Sequence, residues 1–132
     1  MPTPKITRSW TDAEGNSISY EKEISGEAIH QLNKTVPAGT TDMALVCAID
    51  VSQLQGLLLA ADGALTIELN NPGGSSAAAD QTLELTANQA ILWADGDAEA
   101  CPIDQDVAIL YVTNAGDSDV ELKVRWIEDA DL

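Results

Sequence analysis

A period of two in the apolar residues is the feature that most narrows what this chain can fold into. Leu65, Ile67 and Leu69 alternate with Thr66, Glu68 and Asn70; Leu83 and Leu85 alternate with Thr82, Glu84 and Thr86; Val120, Leu122, Val124 and Trp126 alternate with Glu121, Lys123 and Arg125. Successive side chains of a strand point to opposite faces, so each stretch reads as a strand with one dry face and one wet face. Two segments, Met43 to Ile49 and Val107 to Val112, are apolar on both faces. They predict central strands covered on both sides, by the opposite sheet and by a neighbouring segment or subunit.

Turn residues separate the strands at short intervals: Asp12 to Asn16, Pro37-Ala38-Gly39, Asp62-Gly63, Asn71 to Gly74, Asp95-Gly96 and Asn114 to Asp117. The first would close a hairpin between residues 5 to 11 and 17 to 24. The count is eight or nine strands with one helical turn at Asp50 to Gln55. The expected fold is all-β, an antiparallel β-sandwich with jelly-roll topology. Residues 1–26 are expected to form an N-terminal arm or hairpin and residues 27–132 the sandwich body. The arm either finishes a sheet edge or reaches onto a neighbouring subunit and adds a strand there.

Charge limits the partners. The 132 residues carry 22 acids against 6 Lys and Arg, a formal net charge of −16. Nucleic-acid surfaces neutralise phosphates with clustered Lys and Arg, and no such cluster exists, so neither nucleic acid nor an anionic membrane is an expected partner. The charge is also uneven. Residues 35–122 contain fourteen acids and no Lys or Arg, whereas both ends are nearly neutral. Self-repulsion of such a segment is screened by salt. No apolar h-region or membrane-length stretch is present, which points to folding in a cytoplasm.

Chemistry of sites finds little purchase. His30 is the single histidine, with neither GxSxG nor HExxH near it, so no catalytic residue is assigned and no enzyme is expected. Cys47 and Cys101 lack CxxC spacing and are expected as two buried or half-buried thiols, with a disulfide between them as the alternative. Asp95, Asp97, Glu99 and Asp106 fall at EF-hand-like positions, but Ala100 stands where the sharp turn wants Gly and Pro102 interrupts, so the loop reads as solvated. No metal and no cofactor is expected. Trp93, beside carboxylates at a strand end, is the best of the three tryptophans for a sugar platform, against a competing role in the core of a chain with no Phe.

Leu110-Tyr111-Val112-Thr113-Asn114-Ala115-Gly116, followed by Val120 to Val124, together with Leu65 to Asn71 and Ile91-Leu92-Trp93, resembles the small β-sandwich virion proteins of tailed bacteriophages, in particular capsid decoration (cement) proteins. The resemblance covers roughly residues 40 to 126 and lies in strand and turn style. It implies a non-enzymatic protein that oligomerises, with a trimer favoured, on the outer surface of the capsid. It also implies the major capsid protein as partner and the virion as location. Lys5, Ile6, Arg8 and Trp10 of the less charged arm are the expected partner contacts. The alternative from a different class is a carbohydrate- or ligand-binding module of a tail or receptor-binding apparatus, using Trp93 and the nearby acids.

Overall fold

A computed structural model describes residues 4–24, 28–72, 79–87 and 89–129. Ten strands occur among them: β1 Lys5–Thr11, β2 Ser17–Glu23, β3 Ala28–Val36, β4 Thr40–Ile49, β5 Leu54–Ala61, β6 Leu65–Leu69, β7 Gln81–Leu85, β8 Ile91–Ala94, β9 Val107–Asn114 and β10 Val120–Glu128. A short 3₁₀ turn, Val51–Gln53, stands where a helical turn is expected; the Asp50 carboxylate caps it by accepting from the Ser52 N–H at 3.0 Å.

β3 to β10 form two opposed antiparallel sheets, in the orders β3-β10-β5-β8 and β4-β9-β6-β7. Consecutive strands alternate between the sheets except at the β6–β7 hairpin. This is the double Greek key of a jelly roll, as the sequence suggests. Between the sheets lie Val36, Leu57, Leu59, Ile67, Leu69, Leu85, Leu110, Val112, Leu122, Val124 and Trp126, the inward members of the alternating strands. Aliphatic side chains fill most of this interior. His30 stacks on Trp126 with ring centroids 4.9 Å apart, and its Nε2 lies 3.2 Å from the Glu128 carboxylate.

Two buried or turn-forming amides replace what the aliphatics cannot supply. Asn114 donates to the carbonyls of Val36 and Ser118 and accepts from the Gly116 N–H, which ties the β9–β10 turn to β3. Asn70, at φ +67°, donates to Asp80 and the Asp106 carbonyl and accepts from the Ala108 N–H. Asn tolerates this left-handed backbone, and its amide stands in for ladder bonds lost at the strand end.

The expectation for the two-sided apolar strands needs correction. β9 is interior to its sheet, but β4 is an edge strand. Among the described residues no other segment of the chain covers its outward side chains: Val46 is 81% exposed. The register of β4 shifts between Thr40 and Met43 and between Val46 and Ile49, and Asp42 adopts φ +51°. Such irregularities blunt an open edge against strand addition.

β1 and β2 pair in a separate hairpin, in register from Lys5 opposite Glu23 to Thr11 opposite Ser17. The Asp12 carboxylate closes the loop by accepting from the N–H groups of Glu14 and Asn16. Those bonds favour the ionised form, so the pKa of Asp12 is lowered. The expected boundary between arm and body, at 26/27, lies outside the described residues.

Candidate functional site: a half-docked hairpin

Directly opposed residues of an antiparallel pair project to the same face. One face of the β1–β2 hairpin therefore carries Ile6, Arg8 and Trp10 together with Lys22, Tyr20 and Ile18, and the other carries Lys5, Thr7, Ser9, Glu21 and Ser19. The first face is used in two different ways along its length.

At its root it is docked on the body. Ile6 and Ile24 bury against Ala94 and Ile127, with Leu92 alongside, on the outer face of the β3-β10-β5-β8 sheet. The Ile24 N–H extends the ladder by donating to the Pro4 carbonyl at 2.9 Å. Gly56 permits this approach: a Cβ there would stand 3.0 Å from Ile24 Cδ1. Next along the face, Arg8 grips the body's edge. Its guanidinium donates to both carboxylate oxygens of Asp97, at 3.2 and 2.8 Å, and Nη2 also reaches the Leu92 carbonyl at 3.4 Å. Lys22 Nζ donates to the Asp95 carbonyl. Asp97 also accepts from the Ala94 N–H, and its pKa is lowered by the Arg8 hydrogen bonds first and that backbone bond second.

From Tyr20, the cross-strand partner of Arg8, to the distal end the same face is uncovered among the described residues. Trp10 and Tyr20 are each 72% exposed and Ile18 is 58% exposed. Two of the five aromatic residues in a chain without Phe thus lie at the surface, diagonal to each other on one hairpin face, in a segment held at its other end.

Of the expected contact residues, Ile6 and Arg8 fasten the hairpin to its own body, Lys5 is exposed on the opposite hairpin face, and Trp10 lies in the uncovered patch. Tyr20 and Ile18 were missed. Their signal is the register of the hairpin, which places both on the face of Trp10.

Trp93 is partly buried against the core, and its Nε1 donates to the Glu99 carbonyl at 3.3 Å. It lines a cleft of about 500 Å³ along β8 with Arg8, Asp97, Glu99 and Pro102. The EF-hand-like stretch is drawn into other bonds, since Asp97 holds Arg8 and Asp106 accepts from the Val51 N–H. Among the described residues no three His, Cys, Asp or Glu side chains converge as a metal site would require. Both cysteines are free thiols. Burial pushes Cys47 up to about 12 and raises Cys101.

No family profile matches the sequence, and no curated protein matches it. Among solved structures, a chain described under "Bacillus endospore appendages form a novel family of disulfide-linked pili" is similar at 13% identity and a TM-score of 0.32, covering 76% of this chain and 89% of that one.

Proposed function

We propose that this chain is a non-enzymatic structural protein of a virion, a capsid decoration protein of a tailed phage that coats the outer shell as an oligomer and braces its major capsid protein. The observation that carries the reading is the hairpin: rooted on the body by Ile6, Ile24 and Arg8, it presents Trp10, Ile18 and Tyr20 to solvent. A segment fixed at one end and aromatic at the other suits an element that reaches a neighbour in an assembly. The acidic body supports the same reading, since it would be repelled by packaged DNA. Jelly rolls serve both viral shells and lectins, so the fold by itself selects neither. The test is co-sedimentation of the purified protein with tailed-phage heads stripped of decoration protein. Saturable binding that protects the heads from heat or chelator rupture is expected, and no binding to any such shell would sink the reading.

The Trp93 cleft favours one second reading, a glycan-binding module, because an indole edge there sits beside Asp97, Glu99 and Arg8. Saturable quenching of tryptophan fluorescence by sugars, lost in Trp93→Ala, would support it over the first.

A further inference from the structure

Two Asp-Gly steps occur in the chain, Asp62-Gly63 and Asp95-Gly96, and no Asn-Gly. With no side chain on the second residue, its backbone nitrogen is open to reach the side-chain carboxyl of the first. The fold treats the two steps differently. The Asp62 carboxylate accepts from the Glu121 N–H at 2.8 Å, and the Asp62 N–H donates to the Glu121 carbonyl at 3.3 Å. A Cβ on Gly63 would stand 2.7 Å from Val120 Cγ2, so that turn lies tight against β10. Asp95-Gly96 has no such fastening at the reacting atoms. Both residues are exposed, and among the described residues neither the Asp95 carboxylate nor the Gly96 N–H has a hydrogen-bond partner. The turn also calls for glycine, because residue 96 holds φ +89°. The residue that lets the chain turn here is the one that leaves the step reactive.

We propose that Asp95-Gly96 is a site of spontaneous isoaspartate formation in the folded protein, and that this modification loosens the hairpin from the body. The Gly96 nitrogen attacks Asp95 Cγ in its carboxylic acid form. A C–N bond forms, and the carboxyl hydroxyl leaves with the amide proton as water, closing a five-membered succinimide. Water then adds back at one of the two ring carbonyls. Cleavage of the bond from Cγ to the Gly96 nitrogen restores aspartate. Cleavage of the bond from the Asp95 backbone carbon to that nitrogen leaves the main chain running through Cβ and Cγ, longer by one methylene, and turns the backbone carbonyl carbon into a free carboxylate. The place of this step in the fold makes it consequential. It lies between Ala94, part of the apolar seat of the hairpin, and Asp97, which holds Arg8. The Asp97 N–H closes the turn on the Ala94 carbonyl at 3.0 Å, and the Asp97 carboxylate accepts from the Ala94 N–H at 2.8 Å. An extra methylene between these two residues breaks the spacing that both bonds need. Asp97 then moves off the Arg8 guanidinium, Lys22 loses the Asp95 backbone carbonyl to which it donates, and the hairpin is left resting on Ile6 and Ile24.

Ageing of the purified full chain at neutral pH tests this, with isoaspartate located by isoaspartyl methyltransferase labelling and fragmentation mass spectrometry, and hairpin docking followed by hydrogen exchange. Isoaspartate is expected at Asp95 about tenfold faster than at Asp62, the factor that one hydrogen bond on the attacked carboxylate represents. In urea, where neither step is held, the two are expected to isomerise at similar rates. In the isomerised native molecules the Ile24 N–H is expected to exchange faster while the core amides keep their protection. Asp95→Glu keeps the charge but would need a six-membered ring, so it is expected to age with its hairpin still protected. Its side chain is exposed, and a thermal melt near that of the parent is expected; if the melt is lower, Asp95→Ala replaces it. Native protein in which Asp95 stays intact, or in which Asp62 isomerises as fast, overturns the site. Isoaspartate at Asp95 with unchanged Ile24 exchange overturns the loosening, as does equal loss of hairpin protection in the aged variant.

Discussion

At the scale of single residues, hairpin docking depends on a missing side chain and on one carboxylate. In Gly56→Val the added carbons would press on Ile24 and on Ile127, whose Cδ1 lies 3.7 Å from the Cβ position. We expect the hairpin root to lift and its amides, Ile24 N–H among them, to exchange faster while the sandwich core keeps its protection. Asp97 couples the same docking to acid. Its folded pKa lies below the ordinary 3.8, so the contribution is present above that value and is lost as the pH falls through the lower folded value. Hairpin amides should therefore lose protection in that acidic window in the parent. In Asp97→Asn the loss should already be present at neutral pH, at a cost of about 1 kcal/mol. Cys47 carries the opposite dependence. Its folded pKa is raised from 9.0 to about 12, so the buried neutral thiol stabilises fully below pH 9 and the benefit drains away as the pH climbs toward 12. Ellman's reagent should leave Cys47 unmodified in the native protein at pH 8 and react with it on unfolding; prompt reaction of both thiols would contradict the burial.

Among the elements, what the sequence disclosed and what it withheld divide along one physical line. The alternation in Leu65 to Leu69 and Val120 to Trp126 records how one strand meets water, and the inward residues named from it are those found in the core. Leu122→Ala should therefore cost about 2–5 kcal/mol in a urea melt, while its outward neighbour Lys123→Ala should stay within about 0.5 kcal/mol. The hairpin was equally legible, because Asp12 to Asn16 is a local turn. Strand order is not local. Nothing in Met43 to Ile49 distinguishes a covered interior strand from an edge strand awaiting cover, and the two-sided apolar pattern was read as the former. The same limit hid the division of labour along the hairpin: Ile6, Arg8 and Trp10 look alike as candidate contacts until the positions of Asp97 and Ile127 are known.

For the molecule as a whole, the chain's two near-neutral ends become one side of the fold. β3 and β10 are far apart in sequence but adjacent in one sheet, and the hairpin docks on that sheet's outer face. The acidic middle segment supplies the entire opposite sheet. Without Lys or Arg of its own, that segment cannot offset its repulsion internally, and Asp97 finds its cation only in the hairpin. Added salt should raise the melting temperature as the screening length shrinks from about 30 Å at low ionic strength to about 8 Å at physiological strength; a melt indifferent to salt would show that solvation alone already disperses the charge.

The seat of the hairpin also sets an order in time. Ile6 and Ile24 rest on Gly56, Ala94 and Ile127, which belong to β5, β8 and β10. β10 leaves the ribosome about a hundred residues after β2, and synthesis at about 5–20 residues per second is slow beside the closing of a hairpin in microseconds. The hairpin is therefore formed seconds before its seat is complete, and in between its apolar face has no place to rest.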